Sequence, residues 1–237
     1  MIVVWWIISL TLQSRVLPTP LSVFYFAMNN FQNGNAVFHI YMTMTRILIG
    51  FFASLGIGLS LGIVMGLRRV WENYFGTWVM VAMAFPDILW PILAIIWLGM
   101  NEAVAFLSIT MIVFPLVTLD IWEGVKAVDK SLVDMARTFR VSRLHIIRKV
   151  YIPMLMPHIL GSTRHAFAVC WKIVIIAEMF GLSNGIGYML MYWYKQFIIG
   201  QVLAWTITFV VIMIFVERFA FSEISKRAFK WRPEIKL

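Results

Sequence analysis

The sequence predicts an all-α integral membrane protein with about six transmembrane helices and one cytoplasmic helical loop, and three observations carry that prediction. Of the 237 residues, 62% are apolar and only 13% are charged, with a mean hydropathy of +0.86. A soluble domain of this size does not need so much apolar surface. Apolar runs approaching the roughly 20 residues of a bilayer-spanning helix recur along the whole chain. Between two of them lies a long polar stretch, 123–157, which holds seven of the 20 Lys and Arg residues. The chain therefore reads as a single membrane domain over 1–237, with 123–157 a loop within it. One cysteine, Cys170, excludes an internal disulfide framework and a cysteine-rich metal site.

The first apolar run, about 1–13, is short for a full span. It lacks a basic leader and a small-residue cleavage site, so it reads as a retained segment. Pro18 and Pro20 in SRVLPTP stop it. Residues 21–40, with the turn-rich NNFQNGN, fit an interfacial helix and a loop. A span from about Ile40 to Leu67 places Gly50, Ser54, Gly58, Gly62 and Gly66 at strict spacings of four, a small-residue face that lets another backbone approach closely.

The third span, about Gly76 to Leu98, contains FPDILWP. Pro86 and Pro91 should break its hydrogen bonds, which is tolerated where protein or a water-filled cavity surrounds the break. Asp87 is costly in lipid and either caps the broken helix or faces a solute path. GMNE turns the chain into a fourth span, about Ala103 to Trp122. A fifth, about Ile159 to Phe180, carries Lys172 and Glu178, whose spacing of six puts them on opposite helix sides. The Gly-rich GLSNGIGY, an amphipathic MLMYWYKQF, a last span near Ile198 to Val216 and a basic tail complete the chain.

Charge orients these spans. With 123–157 in the cytoplasm, sixteen of the 20 basic residues fall on the inner side, leaving Arg15, Arg46, Lys172 and Lys195 outside or in the membrane. Six spans then place both termini in the cytoplasm. The net charge of +9 becomes a topology signal, which removes nucleic acid as a partner.

Within the loop, residues 127–139 carry a helical apolar stripe of Val128, Leu132, Met135 and Phe139. Ser142 can cap a second helix whose buried side is Leu144, Ile147 and Tyr151, or else Ile146 and Val150, and Pro153 should end it. Two short helices at a bend make a knob that fits a groove in a soluble partner.

The stretch Asp134, Met135, Ala136, Arg137, Thr138, Phe139, Arg140, followed by Ile152 and Pro153, resembles the EAA loop of the permease subunits of ABC importers. LPTP, TMTRILIGF, WLGMNE and AVCWKIVIIAEMFGLSNGIGY extend the resemblance to the nitrate, sulfonate and taurine permease branch. The resemblance implies an importer permease fold in the inner (plasma) membrane of a prokaryote, and paired permease subunits, expected to be identical. It also implies two ATP-binding subunits docked on the EAA loops and an extracellular solute-binding protein. Asp134, Met135, Ala136, Arg137, Phe139, Arg140, Ser142, Arg143 and Pro153 become the coupling residues. Where the family motif has Glu and Gly, this chain has Asp134 and Arg140. A bend needing positive φ at Arg140 costs about 1 kcal/mol.

The chain has no phosphate-binding G-x-x-x-x-G-K-[ST] loop, so ATP and magnesium belong on the partner and the chain is a non-catalytic subunit with no cofactor of its own. Arg46, Asp87, Lys172 and Glu178 are the candidate path residues. A lining by Arg46 and Lys172 suits a small anion such as a sulfonate, taurine or nitrate. The same branch resembles importers of pyrimidine vitamin precursors and aromatic acids. A membrane redox carrier is a remote reading, because His39, His145, His158 and His165 offer no haem pair at matching depth. A simple channel, the other remote reading, has no use for a helical knob.

Overall fold

A computed structural model describes residues 2–12 and 17–228. The described residues form α1 (Ile2–Leu12), α2 (Pro20–Gln32), α3 (Asn35–Leu67), α4 (Arg69–Ala84), α5 (Leu89–Leu98), α6 (Ala103–Lys126), α7 (Lys130–Thr138) and α8 (Arg143–Ile146). A π-helical turn, Ile147–Tyr151, leads into α9 (Ile152–Gly181), followed by α10 (Ile186–Lys195) and α11 (Ile199–Ala228).

The small-residue ladder decides the centre of the fold. A Cβ built on Gly50 would lie 2.7 Å from Ile109, one on Gly58 would lie 2.6 Å from Val117, and one on Gly62 would lie 2.8 Å from Ile121. One on Gly66 would collide with Val125. Each pairing is offset by 59 residues, so α3 and α6 run parallel and in register. The ladder is thus a helix-packing surface, with the backbone of α3 drawn against the branched residues of α6. α9 runs the opposite way along α6, since Gly124 meets His158 at one end and Gly181 meets Val104 at the other. Val113, Val117, Ile121, Phe167, Trp171 and Val174 are among the buried core between these three helices.

Parallel α3 and α6 require the chain to return across the membrane between Leu67 and Ala103. α4 and α5 make that return as a span bent by 102°. The third span is therefore broken, and begins at Arg69, earlier than expected. Phe85, before Pro86, is extended (φ −74°, ψ 131°), as a residue preceding proline must be. Pro91 does not break the helix as expected; it lies in the first turn of α5, where its missing N–H has no partner to lose.

Among the described residues four helices are long and apolar enough to cross a bilayer, α3, α6, α9 with its preceding turns, and α11, and the bent α4–α5 pair makes a fifth crossing. α1, with 11 residues, reaches about 16 Å, half of the apolar thickness. Its extension through 13–16 lies outside the described residues. α2 starts at Thr19, whose hydroxyl accepts from the Ser22 N–H, with Pro20 in the first turn. α2 packs on α11, where Asn30 Nδ2 donates to Gln201 Oε1 at 2.8 Å and Phe26 closes over Gly200.

Pro153 does not end the second loop helix. The turn 147–151 widens, the Ile152 N–H donates to the Ile147 carbonyl, and the chain enters α9 without a break. Widening a turn removes the demand for a donor at the proline and preserves the helix axis. A continuous helical rod from Leu144 to Gly181 results.

Candidate functional site

The loop between α6 and α9 folds as a knob with its own small core. Val128, Val133 and Ile146 are buried together, with Ala136, Val141, Val150, Tyr151 and Met154 packed around them. The buried side of the second helix is therefore Ile146 and Val150. Leu144 and Ile147 stay exposed.

Asp129 caps α7, its carboxylate accepting from the Ser131 N–H at 2.8 Å. Hydrogen bonding by Ser131, through its side chain and then its N–H, holds the Asp129 carboxyl below its usual range. At the other end of α7 the Val141 N–H donates to the Ala136 carbonyl at 3.0 Å and the Arg140 N–H to the Arg137 carbonyl at 2.9 Å. This is a Schellman closure, and Arg140 occupies its left-handed position with φ 54°. The bend thus keeps the positive φ for which glycine is suited, with arginine in its place. Ser142 begins α8, its hydroxyl accepting from the His145 N–H at 3.4 Å.

The outer side of the knob is apolar. Leu132, Met135, Phe139, Leu144 and Ile147 are exposed, Phe139 by 76%. Asp134 and Arg137 form an exposed pair at 3.4 Å beside them. Of the expected stripe, Val128 faces inward, and Leu132, Met135 and Phe139 face out. Covering one such side chain would yield roughly 1.5–3 kcal/mol. The side chain of Arg143 lies outside the described residues. Pro153 is exposed at the root of α9.

At the far end of α3 a second constellation closes on itself. Arg46 is 1% exposed. Its Nη1 donates to Glu178 Oε1 at 2.7 Å and to the Asn184 carbonyl at 2.9 Å. Its Nε and Nη2 hold Glu102 at 2.6 and 2.7 Å, and Nη2 also donates to Asn184 Oδ1. Glu178, fully buried, further accepts from Thr43 Oγ1 at 2.8 Å and from the Gly187 N–H at 2.8 Å. Thr43 Oγ1 in turn accepts from the Ile186 N–H, and His39 Nδ1 from the Gly185 N–H at 3.0 Å. A buried guanidinium and carboxylate survive only when paired and fully hydrogen-bonded, as here. Gly185, with φ 106°, leaves no room for a Cβ beside Glu178. Glu102, at the turn into α6, has its carboxyl held below its usual range by the hydrogen bond from Arg46.

The four candidate path residues do not converge. Arg46 and Glu178 bind each other inside the fold. Asp87 is exposed at the α4–α5 break, with no side-chain cap on α5. Lys172 is exposed on α9, opposite in direction to Glu178. Neither Asp87 nor Lys172 makes an ion pair with a described residue. Lys172 continues a polar stripe along α9 through His158 and His165, each seven residues apart and exposed. At its loop end the stripe joins a groove with Asp120 and Glu123 of α6. Glu102, Thr43, Asn184 and the Gly185 and Gly187 amides escaped the sequence reading. Their only trace was that they fall within or beside the quoted motifs TMTRILIGF, WLGMNE and GLSNGIGY.

The family model described as "Binding-protein-dependent transport system inner membrane component" matches residues 54–229. The chain is 28% identical over 219 residues to SsuC of Bacillus subtilis (strain 168), named for aliphatic sulfonates transport, covering 92% of this chain and 79% of that one. It is 25% identical to the taurine transport system permease protein TauC of Escherichia coli (strain K12), over 99% of this chain and 88% of that one. It is 24% identical to the nitrate import permease protein NrtB of Synechococcus elongatus, over 78% and 70%. Among solved structures, an inward-facing form of the MetNI methionine ABC transporter superposes with a TM-score of 0.65 at 16% identity. The match covers 79% of this chain and 93% of that one, a likeness of fold.

Proposed function

The chain belongs to the family of binding-protein-dependent transport system inner-membrane components, and on that premise we propose that it carries a small anionic solute of the sulfonate, taurine or nitrate kind. It is the multi-pass permease component of an ABC importer, working with ATP-binding and solute-binding partners. The stoichiometry we propose is two copies of this chain, two ATP-binding subunits and one extracellular binding protein. ATP and magnesium are held by the ATP-binding subunits, and the chain itself is not catalytic.

The observation that carries the coupling role is the knob. Its outward face offers Leu132, Met135, Phe139 and Leu144 to a partner, and its second helix runs without a break into α9. Motion of a docked ATP-binding subunit therefore turns α9 as a rod. Asp134, Arg137 and Arg143 orient the docking, and the bend at Arg140 and Ser142 sets the angle between the two short helices. Pro153, absorbed by the widened turn, keeps lever and knob rigidly joined.

The solute path follows the exposed stripe of α9, where the partner permease lies opposite. Lys172 supplies a positive charge at membrane depth, which in lipid would be expensive and beside a water-filled path is not. Arg46 and Glu178 support the path from behind by fixing the outer ends of α3, α6 and α9. Asp87 sits at the kink of the broken span, where it can face the same path. The knob and the C-terminal end of α11 lie on the cytoplasmic side. A cytoplasmic N-terminus requires a further crossing before α2.

Co-purification tests the coupling role. The chain is expressed with a tagged candidate ATP-binding subunit and compared with an Asp134→Lys, Arg143→Glu double variant. Loss of the complex with membrane insertion intact supports docking on the knob. An unaffected complex moves the interface elsewhere.

A further inference from the structure

A cavity of about 790 Å³ lies between the knob and the spans, reaching the outward face at Arg137 and Ile147. Its floor is apolar, including Val125 of α6 and Leu155 of α9, both buried. Three arginines line it: Arg68 at the end of α3, and Arg137 and Arg140 from the end of α7. No carboxylate among the described residues does. Arg68 and Arg140 make no ion pair among the described residues, and Arg137 reaches only the exposed Asp134, at 3.4 Å. The left-handed turn at Arg140 brings the third guanidinium to this cavity. Leu67, Ile147 and Ile152 also line it and are each more than 40% exposed, so apolar lips lead out of it.

We propose that this cavity binds one anionic phospholipid, with its phosphate among Arg68, Arg137 and Arg140 and the start of an acyl chain over Leu67, Ile147 and Ile152. Depth favours a lipid. α3 crosses the apolar layer and ends at Leu67, so Arg68 stands at headgroup level, and the cavity spans the boundary between headgroup and hydrocarbon. Chemistry agrees, because guanidinium groups bind phosphate through paired charge-assisted hydrogen bonds. Arg68 and Arg140, which have no ion-pair partner among the described residues, repel each other across a partly apolar cavity until an anion enters, and Arg137 is offset only by the exposed Asp134. The chain's own tail is a poor occupant: residues 217–237 carry six basic and three acidic residues. A lipid held here links the end of α3 to the knob and to α9, and so makes the lever sensitive to the anionic lipid content of its leaflet.

The full chain, reconstituted in nanodiscs of phosphatidylcholine with phosphatidylglycerol, is examined by native mass spectrometry for retained lipid. The expected result is one retained phosphatidylglycerol per chain, with retention weakened about tenfold or more in an Arg68→Gln, Arg140→Gln variant, as the loss of charge-assisted bonds implies. Arg140→Gly, which suits the backbone at positive φ, gives the same comparison if the double variant misfolds. Equal retention in wild type and variants overturns the proposal. A second arm adds inorganic phosphate to the chain in phosphatidylcholine alone. Thermal protection equal to that by phosphatidylglycerol would mean a site for a free anion, and the lipid proposal fails.

Discussion

Arg46 and Glu178, 132 residues apart, meet at 2.7 Å with side chains 1% and 0% exposed. The pair joins α3 to α9, and through Glu102 and Asn184 it also holds the turn into α6 and the turn before α10. Removing Arg46 leaves the Glu178 charge buried and unmatched, at a cost of about 3–5 kcal/mol, whereas removing Glu178 leaves Arg46 still paired with Glu102 and costs less. Arg46→Met and Glu178→Leu are each expected to lower the yield of folded chain and its melting temperature in detergent. The double variant should recover part of the loss. A single variant that folds normally but fails to transport would assign these residues to the solute path instead.

Glu102 closes the same cluster from its open side. Its carboxyl is held below the ordinary value of 4.5 by the bond from Arg46. The stability it contributes is thus complete above that ordinary value and is lost as pH falls through the lowered one. Melting temperature measured on acidification should drop more steeply in the wild type than in Glu102→Gln. Parallel acid limbs would show that Glu102 titrates alike in the folded and unfolded chain.

The glycine ladder predicts a contrast within one helix. Gly58 faces Val117 with no room for a Cβ, whereas a Cβ on Gly56 meets nothing within 4 Å. Gly58→Leu should cost about 1–3 kcal/mol or more from overpacking. Gly56→Ala should be neutral or slightly stabilising, since alanine favours the helix by about 1 kcal/mol. Thermal unfolding of the two variants side by side checks this, and equal melting temperatures would remove the ladder from the packing argument.

Lys172 is exposed on α9 and lacks an ion-pair partner among the described residues. Lys172→Met is expected to reduce uptake of an anionic solute severalfold while expression and melting temperature stay close to wild type. Loss of folded protein in place of lost uptake would make the residue structural.

Arg140 occupies a backbone position with φ 54°. Arg140→Gly should relieve strain of about 1 kcal/mol in detergent free of anionic lipid. Arg140→Ala should give no such gain. Denaturation of the pair separates backbone strain from the side chain's own role.

Composition and periodicity made much of the fold legible, because a bilayer imposes one length and one polarity on every crossing helix. The strict spacing of Gly50, Ser54, Gly58, Gly62 and Gly66 announced a close-packed face, and the isolated basic loop announced a knob. The same regularity hid what depends on partners. Pro86 and Pro91 look alike in FPDILWP, yet only Pro86 breaks the span, because Pro91 falls in a first turn. Pro153 should stop a helix, and a widened turn carries the helix past it.

The sequence by itself determined the class, the approximate spans and the position of the knob, since these follow from local polarity and helical period. The tertiary structure alone decided that the ladder pairs with α6 at a constant offset, that Leu132, Met135 and Phe139 point away from the core, and that Arg46 binds Glu178. No local pattern encodes a bond between residues 132 positions apart. The cost of leaving either charge unpaired inside the membrane protein selects it, once packing has brought α3 and α9 together.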